Sequence, residues 1–315
     1  MRAAVRGAAL AAGLWLAVVG PAAAQVQMVI PWPPGGGTDI IGRLIQPVLS
    51  ESLGAQVVIR NVGGATGTIG TGEIVRSRGD GQNLLLTSLA AVVIQPAFLA
   101  RPPYQANQLA PVCVLAQAPA TLMTPKETGL RTVADIVTRA RAAPGQMPFA
   151  SGGVGVGGLG HLAMTGLQRS LEIEMNHIPF RGSGDSVLAI QSGTVQMLTA
   201  EANLVQQYGL HAIAVFGANR TPDQPNTPTM RELGHDLVFP LWTALFVAAE
   251  TPQPVVARLD VACRRTLETA SVKETMARAG HPIHYLNHVD AAVYVRAEAI
   301  KYARLIQETG LRQAD

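Results

Sequence analysis

The sequence predicts an α/β fold in which parallel sheets lie between layers of helices. The chain has 315 residues, enough for two domains, and 48% of them are hydrophobic while 14% are charged, which is typical of a globular protein with a large core. Apolar runs of strand length alternate with amphipathic helical stretches, and several of the connections between them are rich in glycine. Alternation of this kind is typical of parallel sheets whose faces are covered by helices.

The first 24 residues have the composition of a secretory signal peptide. The first seven carry two arginines and no acid, and an apolar run over residues 8–19 has the length of a signal-peptide core. Three alanines then fit the cleavage rule, so the mature chain is predicted to begin at Gln25 and to be exported. Export permits a disulfide between Cys113 and Cys263, although two small buried thiols would fit equally well.

The charge balance argues against nucleic acid as a partner. Lys and Arg number 24 against 21 Asp and Glu, which gives a net charge of +3, and no basic run occurs. Nucleic-acid binding depends on clustered positive charge. We therefore expect a small-molecule partner.

The first half of the chain opens with a strand at residues 26–30, which ends in a Pro- and Gly-rich loop. Residues 38–53 follow as an amphipathic helix, because apolar side chains recur at helical spacing. The pair Asp80 and Gly81 indicates a turn before the next buried run. The remaining elements predicted here are strands 57–60, 84–87, 112–116 and 121–124, and a helix that ends near residue 76.

The second half continues the alternation and closes with helices. It contains helices 133–142, 159–169 and 186–192, with strands 147–150, 174–178, 195–199 and 212–215. After a Pro-rich loop at residues 222–228, a strand at 242–248 precedes helices 254–270, 272–279 and 291–309. Three successive helices with little strand suggest that the C-terminal part packs back on an earlier domain.

Three loops share one design, in which a strand ends in a Gly-rich turn that begins a helix. They are residues 34–39, 151–161 and 181–185. Glycine lets backbone N–H groups face a ligand, and the first turn of a helix offers unpaired N–H groups and partial positive charge. Such loops bind anions without Lys or Arg, and they lie at the carboxyl ends of parallel strands, where ligands bind. Each loop could also be a tight connection and nothing more.

The second loop also matches the dinucleotide fingerprint G-x-G-x-x-G through Gly155, Gly157 and Gly160. This match leaves an exported nucleotide-dependent enzyme as the alternative function. The acid that holds the ribose should follow the next strand, but Ile178 and Pro179 stand there. The sequence contains no nucleophile elbow, Walker or His-Glu-x-x-His motif, and His281, His284 and His288 are poorly placed for zinc. We expect no catalysis, no cofactor and no metal.

Two segments carry a resemblance to a known family. Residues 29–39 (VIPWPPGGGTD) and 178–184 (IPFRGSG) resemble the signatures of the periplasmic solute-binding proteins of tripartite tricarboxylate transporters, the Bug family, and the resemblance extends over residues 26–312. It implies a type II periplasmic-binding-protein fold, with two doubly wound lobes joined by crossover strands and a ligand cleft between them. Lobe 1 would comprise residues 25–122 and 240–315, and lobe 2 residues 123–239. The resemblance also implies membrane permease subunits as partners, and we expect a monomer; a sensor role beside a membrane kinase stays open.

In that family, the first Gly-rich loop and a loop of the second lobe hold a ligand carboxylate. Carried over, this nominates Trp32, Gly35, Gly36, Gly37, Thr38, Asp39 and Ser88 from lobe 1, and Ser151, Gly152, His161, Gly182 and Ser183 from lobe 2. Asp39 could instead stabilise the start of its own helix. His161 could donate a hydrogen bond to the ligand from the start of its helix, or it could be packed in the interior. Arg181 could pair with the ligand or stay solvated beside its turn.

Departures from the family pattern bear on the ligand. Gly63 replaces a proline, Leu89 and Ala90 stand where polar residues are common, and Ala200 and Glu201 stand where Asp-Asn is frequent. A less polar wall with an extra acid disfavours polyanions such as citrate. We expect a small monocarboxylate or dicarboxylate, aromatic or bearing an amine that would meet Glu201.

Overall fold

The predicted alternation of strands and helices is present in the computed structural model, which describes residues 25–152, 155–180 and 183–313. The predicted signal peptide lies outside these residues. The strands are β1 (Gln25–Ile30), β2 (Gln56–Asn61), β3 (Asn83–Ser88), β4 (Leu109–Thr124), β5 (Pro148–Ser151), β6 (Asn176–His177), β7 (Met197–Glu201), β8 (His211–Val215), β9 (Pro240–Ala248) and β10 (Ile283–Leu286). The helices are α1 (Gly37–Leu53), α2 (Thr68–Val75), α3 (Gln95–Phe98), α4 (Val133–Ala142), α5 (Leu159–Leu171), α6 (Ser183–Gln191), α7 (Asn203–Gln207), α8 (Gln253–Glu268), α9 (Ala270–Arg278) and α10 (His288–Thr309).

The strands form a mixed sheet with two parallel halves. Its order is β2-β1-β3-β9-β4-β7-β5-β6, and β8 and β10 also pair with β4. β1 runs parallel to β2 and β3 in lobe 1, and β5 runs parallel to β6 and β7 in lobe 2. The strands between these halves, β9 and β4, pair antiparallel with their neighbours. The parallel sheets predicted from the sequence therefore exist within each lobe, whereas the join between lobes is antiparallel.

β4 is one strand of 16 residues, so the prediction of two strands at 112–116 and 121–124 was wrong. Residues 117–120 include Pro119, a residue type that is rare inside strands, but Pro119 lies opposite Pro240 of β9 and β4 continues past it through pairing with β7. The first part of β4 pairs with β9 and β10, and its last residues pair with β7 and β8. β4 thus crosses from one lobe to the other, and the predicted lobe boundary at residue 122 falls inside it.

An unpredicted helical segment follows β3. Residues Ala90–Ile94 form a π-helical turn that leads directly into α3. All five residues are buried, and the Tyr104 hydroxyl donates to the Ala91 carbonyl oxygen at 2.6 Å. The run of aliphatic residues from Leu89 to Ile94 suits either a strand end or a buried turn, which is why periodicity did not identify it.

The C-terminal helices pack back on lobe 1. α8 contacts both α1 and β4, and α10 contacts β4 and the π-helical turn. Cys113 of β4 and Cys263 of α8 form a disulfide that closes 150 residues of chain, so of the two alternatives the structure has the disulfide. In the part of the chain that the structure describes, no helix combines the length and apolarity needed to cross a bilayer.

Candidate functional site

A cleft of about 830 Å³ lies between the two lobes. Its floor is formed by the crossover strands, through Ala116, Ala120 and Thr243. One wall consists of the loops after β1, β2 and β3, and the other of the loops after β5 and β7 together with the start of α6. Of the site residues predicted from sequence, those that line it are Trp32, Gly35, Gly36, Gly37, Thr38, Ser88, Gly152, Ser183 and Glu201.

The N-terminus of α1 opens into this cleft. Gly36 is the N-cap, with φ −76° and ψ 163°, and no side chain among the described residues caps the first turn. Gly36 and Gly37 are exposed, and Thr38 also lines the cleft. The first N–H groups of a helix have no intrahelical acceptor, so this end presents N–H donors and partial positive charge to whatever occupies the cleft.

Asp39 lies behind this helix end, does not line the cleft, and is 2% exposed. Its Oδ2 accepts from the Gly35 N–H at 2.8 Å and from Arg43 Nε at 2.9 Å, while Oδ1 accepts from Asn61 Nδ2 at 2.9 Å. Burial alone would raise the pKa of Asp39, but the hydrogen bonds from Arg43, Gly35 and Asn61 hold it below its usual value. Both carboxylate oxygens are therefore engaged in fixing the loop that precedes α1.

The second Gly-rich loop sits over two histidines, of which His161 is buried and His177 is partly buried. The His161 and His177 rings stack at 4.0 Å between centroids with an angle of 11°. His161 Nδ1 accepts from the Gly157 N–H at 3.1 Å, and His177 Nε2 lies 2.9 Å from Ser151 Oγ. Burial lowers the pKa of His161 to about 4, and burial together with the neighbouring His161 does the same for His177. Ser151 and His161, both predicted as ligand contacts, are buried here and do not line the cleft.

The glycines of the fingerprint have local structural roles. Gly155 and Gly157 have φ of 72° and 74°, a region that side chains with a Cβ rarely occupy. A Cβ at Gly160 would lie 2.7 Å from the Thr199 carbonyl oxygen, so glycine lets α5 approach β7 closely. Glu172 and Glu174, the acids that follow the fingerprint at about the distance expected of a ribose-binding acid, do not line the cleft. Backbone conformation and close packing thus account for the three glycines.

Lobe 2 contributes an acid to the cleft. Ser183 begins α6, and its hydroxyl donates to Glu201 Oε2 at 3.2 Å. Gly182 and Arg181 lie outside the described residues. Across the cleft, Ser88, Leu89 and Ala90 continue the wall of lobe 1, which is largely aliphatic here, as the departures from the family pattern predicted.

His281 is a cleft residue that sequence reasoning missed. It follows α9, lines the cleft, and approaches the start of α1 so closely that a Cβ at Gly37 would lie 3.1 Å from its Cε1. Burial lowers its pKa. The sequence offered only the cluster with His284 and His288, and among the described residues no group of His, Cys, Asp and Glu could hold a metal. The one sequence-based indication of this position was the prediction that the C-terminal helices pack back on lobe 1.

Comparisons with known proteins agree with this architecture. The family of tripartite tricarboxylate transporter receptors matches residues 41–311. A "UPF0065 protein in tcbD-tcbE intergenic region" of Pseudomonas sp. strain P51 is 32% identical over 262 residues, which is 81% of this chain and 77% of that protein. The BugT protein of Bordetella pertussis is 29% identical over 92% of this chain and 90% of its own length.

Solved structures show the same fold. The periplasmic binding protein BugD superposes with a TM-score of 0.79 at 24% identity, over 92% of this chain and 99% of that one. MatC of Rhodopseudomonas palustris, with bound malate, gives 0.79 at 24% identity over 90% and 98% of the two chains. A second R. palustris protein, with adipate, gives 0.81 at 24% identity over 91% and 97%. At this identity the likeness establishes the fold.

Two lobes joined by crossover strands, with a cleft between them, define a solute-binding protein of the periplasmic-binding-protein fold, as the resemblance implied. The chain belongs to the tripartite tricarboxylate transporter receptor family, and the resemblance to Bug proteins is confirmed. Proteins of this family are transport receptors.

Proposed function

We propose that this protein is a periplasmic receptor that captures a small carboxylate between its lobes and delivers it, as a monomer, to the membrane permease of a tripartite tricarboxylate-type transporter. The observation that carries the proposal is the uncapped N-terminus of α1, which opens into the cleft through Gly36, Gly37 and Thr38. A carboxylate there would accept hydrogen bonds from the first N–H groups of α1, which have no other partner among the described residues. The malate and adipate in two related structures support the same ligand class.

Capture by closure follows from the position of the cleft. The lobes contact each other where Gly157 packs against Phe98 and where Gly280 packs against Asn203. A ligand that contacts both walls favours the closed form, because it interacts more strongly with that form than with the open one. The closed form is then the form that a permease would recognise.

The walls favour a small ligand with few charges. Leu89, Ala90, Leu159 and Leu241 are apolar lining residues, and no Lys or Arg is among the described lining residues. A tricarboxylate such as citrate would bring three negative charges into a cleft whose described lining has no cationic side chain, at a high desolvation cost. We propose a monocarboxylate or dicarboxylate.

The test is thermal unfolding of the mature protein, from Gln25 onward, against monocarboxylates, dicarboxylates, citrate, amino acids, aromatic acids and a nicotinamide dinucleotide. Ligand at 100 times its dissociation constant should add about 2.7 kcal/mol to the free energy of unfolding. We expect a shift with a subset of the smaller carboxylates. Tighter binding of citrate than of any smaller acid would contradict the charge argument, and a shift with the dinucleotide alone would favour the enzyme alternative.

A pair of variants locates the carboxylate. Gly36→Asp places a fixed negative charge at the start of α1, where the backbone suits any residue and a Cβ meets nothing closer than 3.6 Å. The new carboxylate would accept hydrogen bonds from the same N–H groups as the ligand, and the helix would gain a cap. The affinity for a carboxylate ligand should therefore fall by about 100-fold or more. Gly36→Ala is the matched neutral control and should bind within about threefold of the wild type. Equal affinity in all three proteins would place the carboxylate elsewhere.

A further inference from the structure

The charges of the cleft are distributed unequally between its walls. Glu201 is the one Asp, Glu, Lys or Arg among the described lining residues, and it lies on the wall of lobe 2. On the wall of lobe 1, the opposite pole is the N-terminus of α1, with its uncapped N–H groups. A carboxylate without an amine would satisfy the N-terminus of α1 and leave Glu201 without a counter-charge.

The Glu201 carboxylate is only partly satisfied. Its Oε2 accepts one hydrogen bond from Ser183, and no other described side chain forms a hydrogen bond or ion pair with it. The side chain is half-buried at the end of β7. When lobes close and water leaves, an acid without a cation partner is costly, so a ligand that supplies the cation would gain affinity.

A second observation lies on the same strand. Thr199 is fully buried, lines the cleft, and its hydroxyl has no hydrogen-bond partner in the described part of the chain. Residues two apart on a strand point to the same face, so Thr199 and Glu201 share a face of β7. An ammonium group carries three donors, and this face offers it a carboxylate and an unpaired hydroxyl as acceptors.

We infer that the ligand bears a protonated amine that pairs with Glu201, so that the cleft takes an amino-acid-like carboxylate whose acid end lies at α1 and whose amine end lies at β7. This inference rests on the proposed carboxylate site at the start of α1. It narrows the ligand class from carboxylates in general to zwitterions or aminodicarboxylates. It also explains how a cleft whose described lining lacks Lys and Arg can hold a charged ligand.

The test compares acids that differ by the amine, with affinities measured by titration calorimetry at neutral pH. The pairs are aspartate with malate, and 2-aminoadipate with adipate. In the wild type, the amine-bearing member of at least one pair should bind about tenfold or more tightly, as a charged hydrogen bond is worth. Glu201→Gln keeps the acceptor for Ser183 and removes the charge, so it should abolish this preference.

The matched control is Glu174→Gln, an exposed acid of lobe 2 outside the cleft, which should keep the preference of the wild type. If malate and adipate each bind as tightly as their amine-bearing partners, or if Glu201→Gln retains the preference, Glu201 serves the start of α6 and the inference is overturned while the carboxylate site stands. If no carboxylate with or without an amine stabilises the protein, the proposed function fails and the inference fails with it.

Discussion

Two loops of this protein share one sequence design but have different environments. The loop before α1 and the loop before α5 each follow a strand, each is rich in glycine, and each ends in a glycine N-cap with nearly the same backbone angles, φ −76° and ψ 163° at Gly36 and φ −79° and ψ 166° at Gly158. Gly36 is exposed at the cleft, whereas Gly158 is buried. The third residue of α1 is an ionised Asp39, and the third residue of α5 is a neutral His161.

The difference lies in the side chain at the third residue of each helix, which accepts the N–H of the residue before the N-cap. In α1, the Asp39 carboxylate binds the loop from behind and leaves the N–H groups at the cleft free. In the second loop, the His161 ring accepts the Gly157 N–H and stacks on His177, so the loop is fixed from within. A glycine-rich strand-to-helix turn therefore indicates an anion site where its glycines are exposed at a cleft, as Gly36 and Gly37 are. Gly157 and Gly158 are buried, and only the first residues of α5 reach the cleft.

Acidification should destabilise the fold mainly through the histidines of the second loop, and this is the largest effect we expect. His161 and His177 have pKa values of about 4 in the fold, against 6.5 in an unfolded chain, so the unfolded state binds more protons between these values. Stability is complete above pH 6.5 and is lost as the pH falls towards 4. At about 1.4 kcal/mol per pKa unit, His161 alone contributes on the order of 3 kcal/mol, measured by urea unfolding at pH 7 and pH 4.5.

The variant His161→Asn keeps an acceptor for Gly157 and does not titrate, so its stability should fall less on acidification. The control is His284→Asn, an exposed position that should retain the acid sensitivity of the wild type. Asp39 has a lowered pKa, so its contribution persists until the pH falls below its usual range. An identical loss of stability in His161→Asn and in the wild type would show that the stacked pair is not what senses acid.

Replacing one glycine of each loop by alanine should affect the free energy of unfolding differently. The loss should be intermediate in the second loop and small in the first. A Cβ at Gly160 would lie 2.7 Å from the Thr199 carbonyl oxygen and 2.9 Å from Ser151 Cβ, both on strands that cannot move freely. Gly160→Ala should lower the free energy of unfolding by about 1–3 kcal/mol, as overpacking does. Gly36→Ala should change it by less than about 0.5 kcal/mol. If both variants are neutral in urea unfolding, α5 does not depend on this close approach.

Much of the fold was predictable because burial and periodicity agree. α4 has the predicted bounds, and the apolar stripe of α1 is buried through Ile41, Ile45 and Leu49. β4 was divided wrongly, because a proline in a strand suggests a break unless the partner strand is known.

The cleft was less predictable than the fold. Gly36 and Glu201 could be nominated from resemblance, but whether a residue faces the cleft or the core depends on neighbours that are distant in sequence. His161 faces His177 and the core, whereas His281 reaches the cleft only because the helices after β9 return to lobe 1. No local pattern distinguishes these two histidines.

The smallest expected effect concerns Arg43, the exposed partner of Asp39. The guanidinium is 56% exposed and pairs with Asp39 across one turn of α1, so solvent screens much of the interaction. Arg43→Gln should leave the free energy of unfolding at pH 7 nearly unchanged, because Gly35 and Asn61 continue to bind the Asp39 carboxylate. The pKa of Asp39 should rise, so the acid sensitivity of this loop would begin at a higher pH.

The carboxylate affinity of Arg43→Gln tests whether Arg43 contacts the ligand. With Arg43 absent, the negative charge of Asp39 behind α1 is less compensated, so affinity should fall by less than about threefold and the difference should vanish in high salt. A tenfold or larger loss that persists in salt would mean that Arg43 contacts the ligand itself. The start of α1 would then bind through a side chain as well as through its N–H groups, and the contrast between the two loops would be one of charge as much as of exposure.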